Sequence, residues 1–229
     1  MISIYTLTLG RELYLTRLLE SIATLGGCVG EYEHYICAQG VKLSDEFKEL
    51  LINKYPHVTL VEWEENYGIA EGMNRILPQL KGDIIMKMDE DCVLRSPNFF
   101  NHVEELHQMF PNLVFSPFPV GLINNLGGPN SQQRQVVYGQ NTDTYYTLRL
   151  VGHIGGFARI SPANPTKEWV FDYDKSDTAS GSEDGQHSQK CKAQSLPMAY
   201  LENALIVEHQ ESTLGQHARY GEDYFGERF

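Results

Sequence analysis

No apolar run in this chain approaches the roughly 20 residues that a bilayer-spanning helix needs. The N-terminal MISIYTLTL has no basic stretch before it and no small-residue cleavage site after it. No signal peptide is therefore read, and a cytoplasmic location is expected. Cysteine is scarce. Cys28, Cys37, Cys92 and Cys191 stand far apart with no C-x-x-C pair, which argues against zinc ribbons and thioredoxin-like redox sites and predicts free, mostly buried thiols. Basic residues are also in short supply, 18 against 30 acidic ones for a net charge of −12. Nucleic-acid phosphates repel such a chain, so non-specific binding to DNA is not expected, although a local basic patch stays open. No internal repeat is visible.

What the chain does have is core material. Its 229 residues are 41% hydrophobic and include 13 Tyr and 10 Phe. That composition belongs to a folded chain of one domain or one domain with elaborations, not to a disordered one. In the first half, short β-branched and apolar runs alternate with segments of helical spacing. Strands are predicted at 2–9, 34–38, 57–63 and 84–88, and helices at 11–25, 44–55 and 68–77. Ser96 is expected to cap a fourth helix, with Pro97 in its first turn. The alternation predicts an α/β fold with a mostly parallel sheet and helices on both faces. The second half is less regular. A strand is expected at 113–120, a long polar loop that could hold a hairpin at 126–147, a glycine-bearing strand at 153–160, an acidic Gly/Ser lid loop at 174–185 followed by a short helix, and one long strand at 198–209. A soft boundary falls near residue 111, dividing a single domain into 1–110 and 111–229.

Ligands of such sheets bind beyond the carboxyl ends of the strands. There stands Gly82–Leu94, GDIIMKMDEDCVL, a strand-like run ending in three consecutive carboxylates. If the backbone stays extended, Asp89 and Asp91 share one face and Glu90 turns away. Two carboxylates facing one crevice call for a divalent cation or a proton between them, unless the stretch is only an acidic turn before the next helix. Three other features carry possible chemistry. Asn66-Tyr67-Gly68-Ile69-Ala70 with Asn74 reads N-x-G-x-A-x-x-x-N at a helix start. Glu183-Asp184 sits where a helix macrodipole favours an ionised carboxylate, a suitable general base. His209 closes the last strand and could supply a nitrogen ligand. Each also has a plain reading as helix punctuation, a helix N-terminal charge or a packed histidine.

Their order adds weight. Strand–helix units, N-x-G-x-A-x-x-x-N, G-D-x-x-x-x-x-D-x-D, the pair Gly155-Gly156, Glu183-Asp184 and a strand-end His209 together resemble family 2 glycosyltransferases with the GT-A fold. The resemblance covers about residues 1–210. It implies a Rossmann-like, mostly parallel central sheet with a small antiparallel sheet on the acceptor side. Residues 1–110 would form the nucleotide-sugar-binding half, and 111–229 the acceptor-binding and catalytic half. The resemblance implies a nucleotide-diphosphate sugar as partner, a UDP-sugar favoured. The donor would be bound by Thr6, Thr8, Arg11, Gln39, Asn66, Gly68, Asn74, Asp89, Gly155, Gly156 and Arg219. The base-reading position at the end of the second strand is typically acidic in the family, whereas Gln39 stands here. The D-x-D corresponds to Asp89, nearer the ribose, and Asp91, which with His209 would hold Mn²⁺ or Mg²⁺. Asp184, with Glu183 beside it, would be the base of an inverting, metal-dependent transfer to an acceptor hydroxyl, with loop 174–185 closing over the donor. The acceptor stays open among glycan, lipid-linked sugar, protein and modified nucleobase. Two other classes are weighed: a sugar nucleotidyltransferase, for which the turn Leu9-Gly10-Arg11 is short, and a non-catalytic metal- or nucleotide-binding α/β domain, which fits the long second half poorly.

Overall fold

A computed structural model describes residues 1–27, 32–120, 133–172 and 182–210. Its first half runs β1 (Ile2–Thr8), α1 (Glu12–Leu25), β2 (Tyr32–Gln39), α2 (Asp45–Lys54), β3 (Val58–Trp63), α3 (Gly68–Ile76) and β4 (Ile84–Met88). Each element begins and ends within about two residues of the span that hydrophobic periodicity predicts. Local signals explain the fit. Ser44 accepts a hydrogen bond from the Phe47 amide at 3.1 Å, with Asp45 and Glu46 in the first turn of α2; both features favour a helix N-terminus. Leu15, Leu18, Leu19 and Ile22 form the buried stripe of α1.

β5 (Cys92–Leu94) and α4 (Phe99–Met109) follow. The expected cap of α4 is not Ser96. Asn98, at φ 54°, holds that position without a side-chain cap. Pro97 drives the residue before it towards extended backbone, which leaves Ser96 outside the helix. Its hydroxyl accepts from the Ile206 amide at 2.7 Å instead.

The second half contains β6 (Val114–Ser116), β7 (Phe118–Val120), β8 (Arg134–Gly139), β9 (Thr144–Val151), β10 (Ala158–Pro162), α5 (Ala163–Thr166), α6 (Ser182–Ala193), β11 (Met198–Leu201) and β12 (Ile206–His209). The polar segment 126–147 carries the hairpin allowed for it, formed by antiparallel pairing of β8 with β9. Buried Glu105 of α4 accepts from the Asn141 and Thr142 amides and the Tyr146 hydroxyl, at 2.7, 3.2 and 3.0 Å, and so ties down the hairpin turn. The glycine-bearing strand starts only at Ala158. The long last strand breaks at 202–205, where Ala204 takes φ 69°.

The large sheet has the order β3-β2-β1-β4-β10-β6-β11-β9-β8. Its β3-β2-β1-β4 part is wholly parallel, as expected from strand–helix alternation. β10, however, runs antiparallel to both β4 and β6, so the sheet as a whole is mixed and not mostly parallel. A second sheet, β5-β12-β7, is mixed too, with β12 antiparallel to β5 and parallel to β7. Helices cover both faces. Leu18, Ile22, Phe99, Phe100 and Val103 pack with Ile2, Ile4 and Met86 on one side, and Ala70, Met73 and Ile76 pack with Tyr5, Ile85 and Val114 on the other. Cys37, Cys92 and Cys191 are free and buried; Cys28 lies outside the described residues. No helix among the described residues is long and apolar enough to cross a membrane.

Two buried histidines make the fold acid-sensitive. His34 is fully buried on β2, with Nε2 3.0 Å from the Thr6 hydroxyl, and burial followed by the nearby His57 lowers its pKa to about 3. His187 lies between Trp169 and Phe171, and burial, then Arg159 and Lys87, push its pKa well below the ordinary value. A buried neutral histidine binds fewer protons than its unfolded counterpart. Its stabilisation is complete above the unfolded pKa and is lost as pH falls below it. Between pH 7 and pH 5 His34 alone should remove about 2 kcal/mol of unfolding free energy, and His187 acts in the same direction. Urea titrations at the two pH values should show this loss in the wild type, and His34→Gln should reduce it by about that amount.

Candidate active site

Because β1 and β4 are parallel neighbours, their carboxyl ends open on one edge of the sheet. The three carboxylates after β4 do not continue as extended chain. The Cys92 amide bonds back to the Asp89 carbonyl at 3.3 Å, which turns the backbone at 89–91. The alternation expected from a strand therefore fails, and the side chains diverge. Glu90 is not turned away. It is buried and accepts hydrogen bonds from the Thr8 hydroxyl and from Arg11 Nε, the latter at 2.6 Å. Asp91 Oδ2 accepts from Arg11 Nη2, also at 2.6 Å. One guanidinium thus spans two carboxylates, which explains how like charges tolerate such closeness. Asp89 leaves in another direction and meets Lys87 Nζ at 2.7 Å.

β12 carries His209 to the same place. Pairing of β12 with β5 sets His209 opposite Cys92, and the Gln210 amide bonds the Asp91 carbonyl at 2.6 Å. His209 Nε2 then lies 3.5 Å from Asp91 Oδ2, both side chains being buried. Burial alone would push the Asp91 carboxyl up, but His209 and then Arg11 hold it well below the usual carboxylate range. A hard carboxylate oxygen and an imidazole nitrogen this close suit Mn²⁺ or Mg²⁺. Among the described residues no group of three His, Cys, Asp or Glu side chains converges, so Asp91 and His209 would leave the other positions of a cation to phosphate and water.

The floor of the crevice carries two residues that sequence reasoning missed. Lys87 on β4 lies between Tyr5 on β1 and Arg159 on β10, opposite one another across three adjacent strands. Both cations are buried, Arg159 to 2% exposure. Burial disfavours the charged Lys87, but Asp89, Asp184 and Glu183 outweigh it and raise its pKa. Their sequence signal was a basic residue inside an otherwise apolar strand, Ile84–Met88 and Phe157–Ile160. Such a residue is buried and paired or it is not tolerated.

Arg159 Nη1 donates to Asp184, in the first turn of α6. Beside it, Gly155 is held without a β-ladder. Its amide and carbonyl both meet the Tyr200 hydroxyl, at 2.9 and 3.0 Å. A Cβ at Gly155 would strike the Asp184 carboxylate, so only glycine permits this approach. Gly156 needs its own freedom, at φ 115°. Ser188 accepts from the Ile154 amide at 3.0 Å and donates to the Asp184 carbonyl at 2.8 Å, joining strand lead-in and helix. Glu183 is buried, and burial pushes its carboxyl up.

The remaining predicted residues separate into groups. Thr8 and Arg11 stand at the site. Thr6 is buried against His34 and lies beneath it. Gln39 ends β2 with its Oε1 buried and unpaired. Asn66 is exposed and accepts from the Gly68 amide at 2.9 Å, with Gly68 at φ 73°. Asn74 faces Phe171, accepting from its amide at 2.7 Å and donating to its carbonyl at 2.8 Å, so in this structure it anchors the segment before residue 173. Gln186 does the same for Asp172. Arg219, and residues 174–181 of the expected lid, lie outside the described residues.

The fold has known counterparts. The glycosyl transferase family 2 model matches residues 3–161. No curated protein matches the chain. Among solved structures, GalNAc-T7 with UDP, GalNAc and Mn²⁺ superposes with a TM-score of 0.64 at 10% identity, over 91% of this chain and 43% of that one. Staphylococcus aureus TarS 1–349 gives 0.64 at 17% identity, over 97% and 67%. A mannosyltransferase from Pyrobaculum calidifontis, in complex with GDP-Man and Mn²⁺, gives 0.64 at 13% identity, over 95% and 59%. The chain thus spans less than half of the first of these and up to two thirds of the others. With more than half of its length matched by the family model and its fold shared with these enzymes, the chain belongs to glycosyl transferase family 2 and has the GT-A fold.

Proposed function

We propose that this protein moves a sugar from a nucleotide-diphosphate sugar to an acceptor hydroxyl, with inversion at the anomeric carbon and Asp184 as base. The observation that carries the reading is the approach of Asp91 and His209, two side chains distant in sequence, at the carboxyl end of β4. Mn²⁺ or Mg²⁺ bound there would act as a Lewis acid on the diphosphate leaving group. Solved relatives with UDP, UDP-GlcNAc or GDP-Man bound support a nucleotide sugar as donor and Mn²⁺ as a fitting ion. A UDP-sugar is favoured.

The chain's own residues do the rest. Asp184, fixed by Arg159 and by the close approach to Gly155, accepts the proton of the attacking hydroxyl. Arg159 and Lys87 lie buried beneath it, and they keep the Asp184 and Asp89 carboxylates oriented. Attack from the face opposite the diphosphate requires no nucleophile from the protein. Proton NMR of the sugar released by slow donor hydrolysis tests the stereochemistry. Inverted configuration in the first-formed product is expected, and retained configuration refutes the single displacement.

A further inference from the structure

The Asp91 oxygen that faces His209 is the one already bound to Arg11. Asp91 Oδ2 lies 2.6 Å from Arg11 Nη2 and 3.5 Å from His209 Nε2. A second carboxylate, Glu90, holds Arg11 Nε at 2.6 Å, and the Tyr14 ring lies 4.8 Å below the guanidinium. Glu90 and Asp91 are buried, whereas the Arg11 side chain keeps 34% of its surface exposed. The positive partner is thus the most exposed of the three. It hangs on the short turn Leu9-Gly10-Arg11 at the crevice mouth, before the first residue of α1. Two cations cannot share one carboxylate oxygen without repelling each other. A nucleoside diphosphate brings negative charge to a cation on Asp91, and so presents oxygens beside the guanidinium, for which a fork of N–H donors is the stronger match.

We propose that Arg11 couples cation binding to donor binding. It holds the Asp91 oxygen while the donor is absent and transfers its Nη2 hydrogen bond from Asp91 to the donor diphosphate when both ligands arrive. This rests on the donor site proposed above. Cation and nucleotide then bind cooperatively, each raising the affinity of the other by the same factor. Retention of Glu90 as the second anchor keeps Arg11 within reach throughout.

The test measures Mn²⁺ affinity by electron paramagnetic resonance of the free ion, with and without UDP, for the wild type, Arg11→Met, Arg11→Lys and Asp91→Asn. In Arg11→Met, Mn²⁺ alone should bind about tenfold more tightly than in the wild type, because its competitor is gone. The enhancement of Mn²⁺ affinity by UDP should shrink in the same variant by a similar factor. Arg11→Lys, which keeps the charge and loses the fork, should lie between the two, and it decides the matter if Arg11→Met does not fold. Unchanged or weaker Mn²⁺ binding in the Arg11 variants, with Asp91→Asn still abolishing it, overturns the coupling and leaves the cation site standing. Absence of Mn²⁺ binding in every protein, with or without UDP, overturns both.

Discussion

Asp184→Asn should retain donor binding and lose transfer by about 10²–10⁴-fold, the usual contribution of a general base. The substitution is nearly isosteric. The amide oxygen of asparagine can still accept from Arg159 Nη1, and the side chain still fits over Gly155. What disappears is the proton acceptor. Arg159 is buried to 2% exposure and Lys87 to 6%. With one carboxylate neutralised, the variant should also melt lower, because a buried cation without its counter-charge is costly. The two effects separate cleanly. Calorimetric titration with a UDP-sugar should give near-wild-type affinity, while the single-turnover transfer rate collapses. Near-normal transfer by Asp184→Asn would place the base elsewhere.

Asp91→Asn should do the reverse. Its carboxylate is the common partner of His209 and Arg11, and its ionised form is the one those neighbours favour. An amide oxygen is a much weaker cation ligand than a carboxylate. Donor affinity should fall at least about tenfold, or 1.4 kcal/mol, and should no longer respond to Mn²⁺. Glu90, also buried, is bonded to Arg11 and Thr8. Titration of donor into the wild type and Asp91→Asn, with and without Mn²⁺, measures the difference directly.

The first half of this fold was open to reading because its information is local. Leu15, Leu18, Leu19 and Ile22 at helical spacing place α1, and the run Ile84–Met88 places β4, without reference to the rest of the chain. The second half depends on partners far away in sequence. Nothing between Arg134 and Val151 announces that Glu105 will gather the hairpin turn. Nothing at 198–209 announces that the run will break into two strands that join different sheets. The candidate site divides along the same line. Asp91, Asp184 and His209 were visible as strand-end and helix-start residues in a familiar order. The strand period ends at Met88, where the chain turns, so alternation gives the wrong face for Glu90. Lys87 and Arg159 carry a signal of their own, a basic residue in an apolar strand. Only the antiparallel register of β10 against β4 puts them side by side.

Donor turnover decides whether this crevice is a nucleotide-sugar site. The full chain, offered a panel of UDP- and GDP-sugars with and without Mn²⁺, should release nucleoside diphosphate from at least one of them. That release should depend on the cation and be lost in Asp91→Asn. If no donor in the panel binds or is turned over under either condition, the assignment of this crevice as a nucleotide-sugar site is wrong.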